Sequence, residues 1–81
     1  MELNDIIREV NKLFVDVLDN ESIVLNEHST ASDVEEWDSL NHIHIITAIE
    51  KHFRIKFELN ELLNFVEVGD LCRGIQSKMK G

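Results

Sequence analysis

Asp38-Ser39-Leu40-Asn41-His42-Ile43-His44-Ile45-Ile46-Thr47-Ala48-Ile49-Glu50-Lys51-His52-Phe53 is the stretch whose reading decides the fold. Its centre, His42-Ile43-His44-Ile45, alternates polar and apolar residues as a half-buried strand does. On a strand both histidines would share one face as a potential metal pair. The longer window overrides that alternation, because Ile45, Ile46, Ile49 and Phe53 recur at helical spacing and no neighbouring segment alternates as a strand partner. The segment therefore predicts a helix over residues 39–54. Residues two apart on a helix diverge by about 200°, so His42 and His44 cannot chelate together. His42 falls beside Ile46 and Phe53 as a partly buried, hydrogen-bonded histidine; His44 falls on the solvated side.

Asp38 precedes the helix and suits its N-cap, with a carboxylate that can accept from the free N–H groups of the first turn. Ser39 then stands in the first turn, where the helix dipole favours an attached anion such as a phosphodiester. An isolated Asp-Ser before an apolar helix is in general only a cap, so the surrounding pattern has to carry any functional reading. Leu40 lies roughly 120° around the helix from Ile46, at about 100° per residue, on a side shared with Thr47 and Lys51. With Ile43 one turn on, it forms a small apolar docking surface beside Ser39.

Upstream, Leu3, Ile6, Ile7, Val10, Leu13, Phe14, Val17 and Leu18 form one apolar stripe, predicting a first helix over 3–18. Residues 19–37 lack helical period and predict a long loop pinned by Ile23, Leu25 and Val34, with Trp37 packed beneath it. Downstream, 55–59 reads as an extended, apolar-anchored connection. Asn60 is expected to cap a short helix, 61–65, that turns Leu62, Leu63 and Phe65 inward. A last helix over 69–78 carries Leu71, Cys72, Ile75 and Met79 on one side, with Lys78 and Lys80 at the end favoured by the dipole. Gly74 inside it costs about 1 kcal/mol relative to alanine. The expected class is all-α: a small four-helix bundle with a long first connection and a short third helix.

Eighty-one residues, 43% apolar and without proline, suit one small packed domain spanning 1–81. The single cysteine, Cys72, excludes an internal disulfide framework and fits a reducing cytoplasm; its spacing makes it a buried thiol rather than a nucleophile. The N-terminus carries no basic-then-apolar signal, and no apolar run is long enough for a membrane span. A soluble, intracellular, monomeric chain is expected. Its formal net charge of −8 argues against nucleic-acid binding. No Lys or Arg occurs between Lys12 and Lys51, while nine acids do, Glu35, Glu36 and Asp38 among them. A field of one sign around Ser39 steers basic partners toward it.

Taken together, Trp37-Asp38-Ser39-Leu40, then Ile43, Ile46, Ala48, Ile49, Glu50 and Phe53, then Ile55-Lys56-Phe57 and Val68-Gly69-Asp70-Leu71 resemble the acyl carrier protein family, which includes the peptidyl carriers. The resemblance covers nearly the whole chain. It implies a carrier rather than an enzyme: Ser39 matches the serine that a phosphopantetheinyl transferase joins to 4′-phosphopantetheine, whose thiol holds an acyl group as a thioester. By the same resemblance Asp38 serves transferase recognition, and Leu40, with Ile43, Thr47 and Glu36, docks partners. The implied partners are that transferase, an acyl- or aminoacyl-loading ligase and downstream acyl-processing enzymes.

Departures from the family pattern are equally legible. Asn41 and His44 stand where many fatty-acid carriers have acids, Lys51 adds a positive charge, and Glu58 replaces a proline. The docking side of the helix is thereby less acidic, which favours a dedicated pathway with its own partners. An aminoacyl or peptidyl cargo fits the same residues. Outside the family, the rival reading is a helical interaction module in which Ser39 is only a cap; a hydrolase would need a base for Ser39 that the sequence does not place.

Overall fold

The computed structural model describes residues 2–80, the Lys80 side chain excepted. Four helices follow in order: α1 (Leu3–Leu18), α2 (Ser39–Phe53), α3 (Leu59–Leu63) and α4 (Val68–Lys80). No strand occurs among the described residues, and residues 42–46 lie within α2. The expected four-helix bundle, with a long first connection and a short third helix, is the observed architecture.

The apolar stripe of α1 turns Ile6, Val10, Phe14 and Leu18 into the core, and α1 packs against both α2 and α4. From α2 come Ile45, Ile46 and Ile49, and from α4 Val68, Leu71, Cys72 and Ile75. Burial raises the Cys72 thiol to about 12, which makes it an inert core residue, as its spacing implied. Two helices end on a residue other than glycine in the left-handed region, Asp19 at φ 52° after α1 and Arg54 at φ 58° after α2. Arg54 thus closes α2 rather than extending it, and its N–H donates to the Glu50 carbonyl.

The loop between α1 and α2 is fastened at several points. Ile23, Leu25 and Val34 are buried in the core, as expected. The side chain of Asn11, in the middle of α1, makes two bonds to the loop backbone. Its Nδ2 donates to the Ile23 carbonyl at 3.1 Å, and its Oδ1 accepts from the Leu25 N–H at 2.6 Å. Further along, the N–H groups of Val68 and Gly69 donate to the carbonyls of Ser29 and Glu27, each at 2.8 Å. The loop is therefore clamped between α1 and the first residues of α4. Gly69 is what permits this approach, since a Cβ there would lie 2.7 Å from the Glu27 carbonyl oxygen.

Several expectations downstream need correction. α3 begins at Leu59, not Glu61, and Glu58 rather than Asn60 is its N-cap. The Glu61 carboxylate sets this start, accepting from the Glu58 N–H at 2.8 Å and from Lys78 Nζ at 2.8 Å. In this phase Leu63 faces outward at 77% exposure, while Leu62 and Phe65 do pack against the core. α4 starts one residue earlier than expected and Met79 is 43% exposed. Lys78 crosses to α3 and lies over the Phe57 ring rather than merely facing the end of α4; the side chain of Lys80 is outside the described residues. Gly74 has a packing reason: a Cβ there would meet Phe65 at 3.0 Å, so alanine's helical advantage is opposed by a close contact.

Candidate functional site

Asp38, in extended backbone, caps α2: its Oδ1 accepts from the Asn41 N–H at 2.8 Å. Asn41 returns the link, donating from Nδ2 to the Glu36 carbonyl at 2.8 Å. Asn20 Nδ2 in turn donates to the Glu36 carboxylate at 2.8 Å. The loop end and the helix start are thereby one hydrogen-bonded unit, and Ser39 rides on it as the first residue of α2.

Ser39 is exposed. Its hydroxyl makes no hydrogen bond among the described residues, since the capping is done by Asp38. The backbone N–H groups of Ser39 and Leu40 likewise have no protein partner there. They leave the positive end of α2 open to solvent beside the hydroxyl. No imidazole or carboxylate is hydrogen-bonded to the hydroxyl, so nothing in this arrangement activates it as a nucleophile.

An open hollow of ≈ 470 Å³ adjoins this start, lined by Ala31, Trp37, Asp38, Ser39, His42, Phe65 and Val66. Its floor is Trp37, buried under the loop as expected and set edge-on to Phe14 with ring centroids 4.9 Å apart. Trp37 Nε1–H donates to His42 Nδ1 at 3.0 Å, and the two rings lie side by side, centroids 5.9 Å apart and planes 24° apart. Burial holds the His42 imidazole below the usual histidine range. His42 is thus the partly buried, hydrogen-bonded histidine the helical reading required, and the exposed His44 lies on another face.

The structure places the other singled-out residues as follows. Leu40 is 66% and Ile43 62% exposed, and both stand clear of the core on α2. Thr47 is exposed on the same side, its Oγ1 donating to the Ile43 carbonyl at 2.9 Å. Glu36 is half-buried and engaged by Asn20, so it is the least free of the group. Unforeseen were the exposed Leu59 and Leu63 of α3, and Val66 at 68% exposure across the hollow from Ser39. The placement of Leu59 and Leu63 follows from the phase of α3, which hydrophobic spacing over five residues does not specify. Asn11 and Asn20 carry no such signal in the sequence, because a polar residue on a helix flank or in a turn gives no sign of a distant partner.

The α2 stripe of Leu40, Ile43, Thr47 and Lys51 carries no acid. The only carboxylate of α2, Glu50, accepts from the Phe57 N–H at 2.9 Å. Basic residues Lys51 and His52 close the helix. The negative charge near the site comes instead from the loop, at Asp33, Glu35, Glu36 and Asp38. Among the described residues no helix is long and apolar enough to cross a membrane.

Comparison with known proteins places this fold. No family model matches the chain, and no curated protein matches it. Among solved structures, the chain is similar to a holo acyl carrier protein from Geobacter metallireducens, determined by solution NMR. The identity is 38%, the TM-score 0.87, and the match covers 91% of this chain and 85% of that one. Fold and likeness together define a non-catalytic carrier, a helical bundle that presents a cargo to enzymes rather than acting on it. The chain belongs to the acyl carrier protein family.

Proposed function

We propose that Ser39 is the attachment point of 4′-phosphopantetheine and that the chain carries acyl groups on that arm as thioesters. The observation that carries this reading is an exposed hydroxyl at the head of α2, free of hydrogen bonds among the described residues because Asp38 has taken the capping role. A phosphodiester fits there: the N–H groups of Ser39 and Leu40 are unpartnered, the helix dipole favours an anion, and the hollow beside Ser39 leaves room for the root of an arm. The bound group supplies a thiol for thioester chemistry; the protein's own residues hold and present it.

Asp38 serves the transferase as well as the helix, since its Oδ1 caps Asn41 while the rest of its exposed carboxylate faces outward for a partner's cation. Leu40, Ile43 and Thr47 form the docking stripe, and Glu36 adds charge at its loop end. The acyl-loading ligase and downstream acyl-processing enzymes of fatty-acid, polyketide or another dedicated biosynthesis would bind this stripe. An aminoacyl cargo would use the same residues. A cytoplasmic location accompanies this reading, with the whole chain acting as one carrier unit.

Intact mass after co-expression with a phosphopantetheinyl transferase tests the attachment. The wild-type chain gains the arm and Ser39→Ala does not. Gain of the arm by Ser39→Ala would move the attachment to Ser22, Ser32 or Ser77, Ser29 being buried.

A further inference from the structure

Resting on the reading of Ser39 as the attachment point, we propose that His42 anchors the phosphodiester at the root of the arm, its Nε2–H donating to a phosphate oxygen while Trp37 holds its other nitrogen. Indole Nε1–H can only donate, so the 3.0 Å contact to His42 Nδ1 requires Nδ1 to be the acceptor. The neutral ring must then carry its proton on Nε2. That nitrogen has no protein partner among the described residues. His42 and Ser39 line the same hollow. They stand three residues apart on α2, a spacing that sets Cβ atoms about 5–6 Å from each other on one helix face. A phosphate on the serine hydroxyl is the part of the arm that this separation brings within reach of an imidazole edge.

The ring cannot easily turn away. Trp37 is 9% exposed and wedged against Phe14, so its N–H is a fixed point. The His42 ring lies edge to edge with the indole, the two planes 24° apart, so the hydrogen bond orients it as well. The electrostatics around it are simple. Among the other lining residues only Asp38 is charged, and its Oδ1 is engaged by the Asn41 N–H. Ala31 from the loop and Phe65 and Val66 after α3 are neutral, as is Phe14 of α1 behind the indole. The N–H groups of Ser39 and Leu40, unpartnered among the described residues, are further donors available to that anion. His42 is a positioning residue in this scheme: it holds the root of the arm and takes no part in thioester chemistry.

The test uses the full chain in two forms, apo and holo, with the mass gain at Ser39 verified first. Long-range proton–nitrogen spectra of His42 across pH report its tautomer and its titration midpoint. In the apo form the Nε2–H tautomer is expected, with a midpoint below the usual histidine range because burial disfavours the charged ring. Modification puts a negative charge beside the ring and is expected to raise that midpoint by roughly half a pH unit or more, about threefold in proton affinity. The phosphorus resonance of the diester, whose own ionisation lies far lower, is expected to show a step at the His42 midpoint. His42→Gln abolishes that step, and Trp37→Phe, which keeps an aromatic ring but loses the donor, mixes the tautomers.

An equal midpoint in apo and holo protein, or a phosphorus resonance with no step at that pH, overturns the anchor while leaving attachment at Ser39 intact. Absence of the mass gain would instead remove the attachment reading, and this inference with it. The apo–holo comparison needs no variant, so a failure of Trp37→Phe to fold leaves the outcome decided.

Discussion

Two helix starts in this molecule meet opposite fates. At the head of α4, the N–H groups of Val68 and Gly69 are taken by the carbonyls of Ser29 and Glu27, and the Asp70 carboxylate accepts from Val66 and Glu67. At the head of α2, Asp38 satisfies Asn41, and the N–H groups of Ser39 and Leu40 are left to solvent. Both ends carry the same dipole. The difference is that the long loop folds its backbone onto α4 and then only leads into α2. The closed start fixes the loop, and the open start is free to receive an anion.

Of the two starts, the closed one is expected to give the larger effect when it is forced apart. Gly69→Ala would place a methyl group 2.7 Å from the Glu27 carbonyl oxygen, so the loop must shift and the Gly69 hydrogen bond weaken. A loss of about 2–4 kcal/mol in denaturant unfolding is expected, summing overpacking and a compromised buried bond. If Gly69→Ala unfolds like wild type, the closure of α4 contributes nothing. Asp38→Ala, at the open start, removes a cap and should cost only about 1 kcal/mol, together with slower modification by the transferase.

Acid should probe the closed start as well. Backbone N–H donors, chiefly that of Glu67, and the Arg73 guanidinium hold the Asp70 carboxyl below its usual 3.8. A carboxyl whose pKa is lowered on folding stabilises the fold above its unfolded value and loses that contribution as pH falls through the folded one. Stability should therefore decline below about pH 4, and Asp70→Asn should flatten this part of the profile. The side chain keeps 35% of its surface exposed, so solvent screening makes the change modest.

The smallest effects on stability belong to the open start itself. Ser39→Ala removes a hydroxyl without a partner and should shift unfolding by well under 1 kcal/mol while abolishing modification. Leu40→Ala should leave the melting temperature nearly unchanged but weaken partner docking by roughly 1–2 kcal/mol, seen mainly as faster dissociation. Ile46→Ala, on the buried side of the same helix, is the control and should cost about 2–5 kcal/mol. Equal melting losses for Leu40→Ala and Ile46→Ala would put Leu40 in the core and remove the docking stripe.

Much of this was legible in the residues. The stripes of α1 and α2 repeat over four turns each, so their helical phase, the burial of Ile45, Ile46 and Ile49, and the exposure of Leu40 and Ile43 follow from spacing alone. The cap at Asp38, and with it the position of Ser39 on the first turn, came from side-chain chemistry acting three residues away. The inert, buried Cys72 followed from the same periodicity.

Other features depend on segments distant in sequence meeting in space. The start of α3 is set locally by reciprocal capping between Glu58 and Glu61, but the Lys78 that pairs with the Glu61 carboxylate comes from seventeen positions away. Asn11 could be known as a loop clamp only once Ile23 and Leu25 were beside it, and Gly69 as a close contact only once Glu27 was. The pairing of Trp37 with His42 lies between these cases. Their five-residue separation spans the loop–helix junction, so spacing predicts a buried ring and a partly buried imidazole but not which nitrogen meets the indole. Local periodicity fixes which face of a helix is apolar because the backbone repeats. Which polar groups meet across the bundle depends on how the helices pack, and only the tertiary structure decides that.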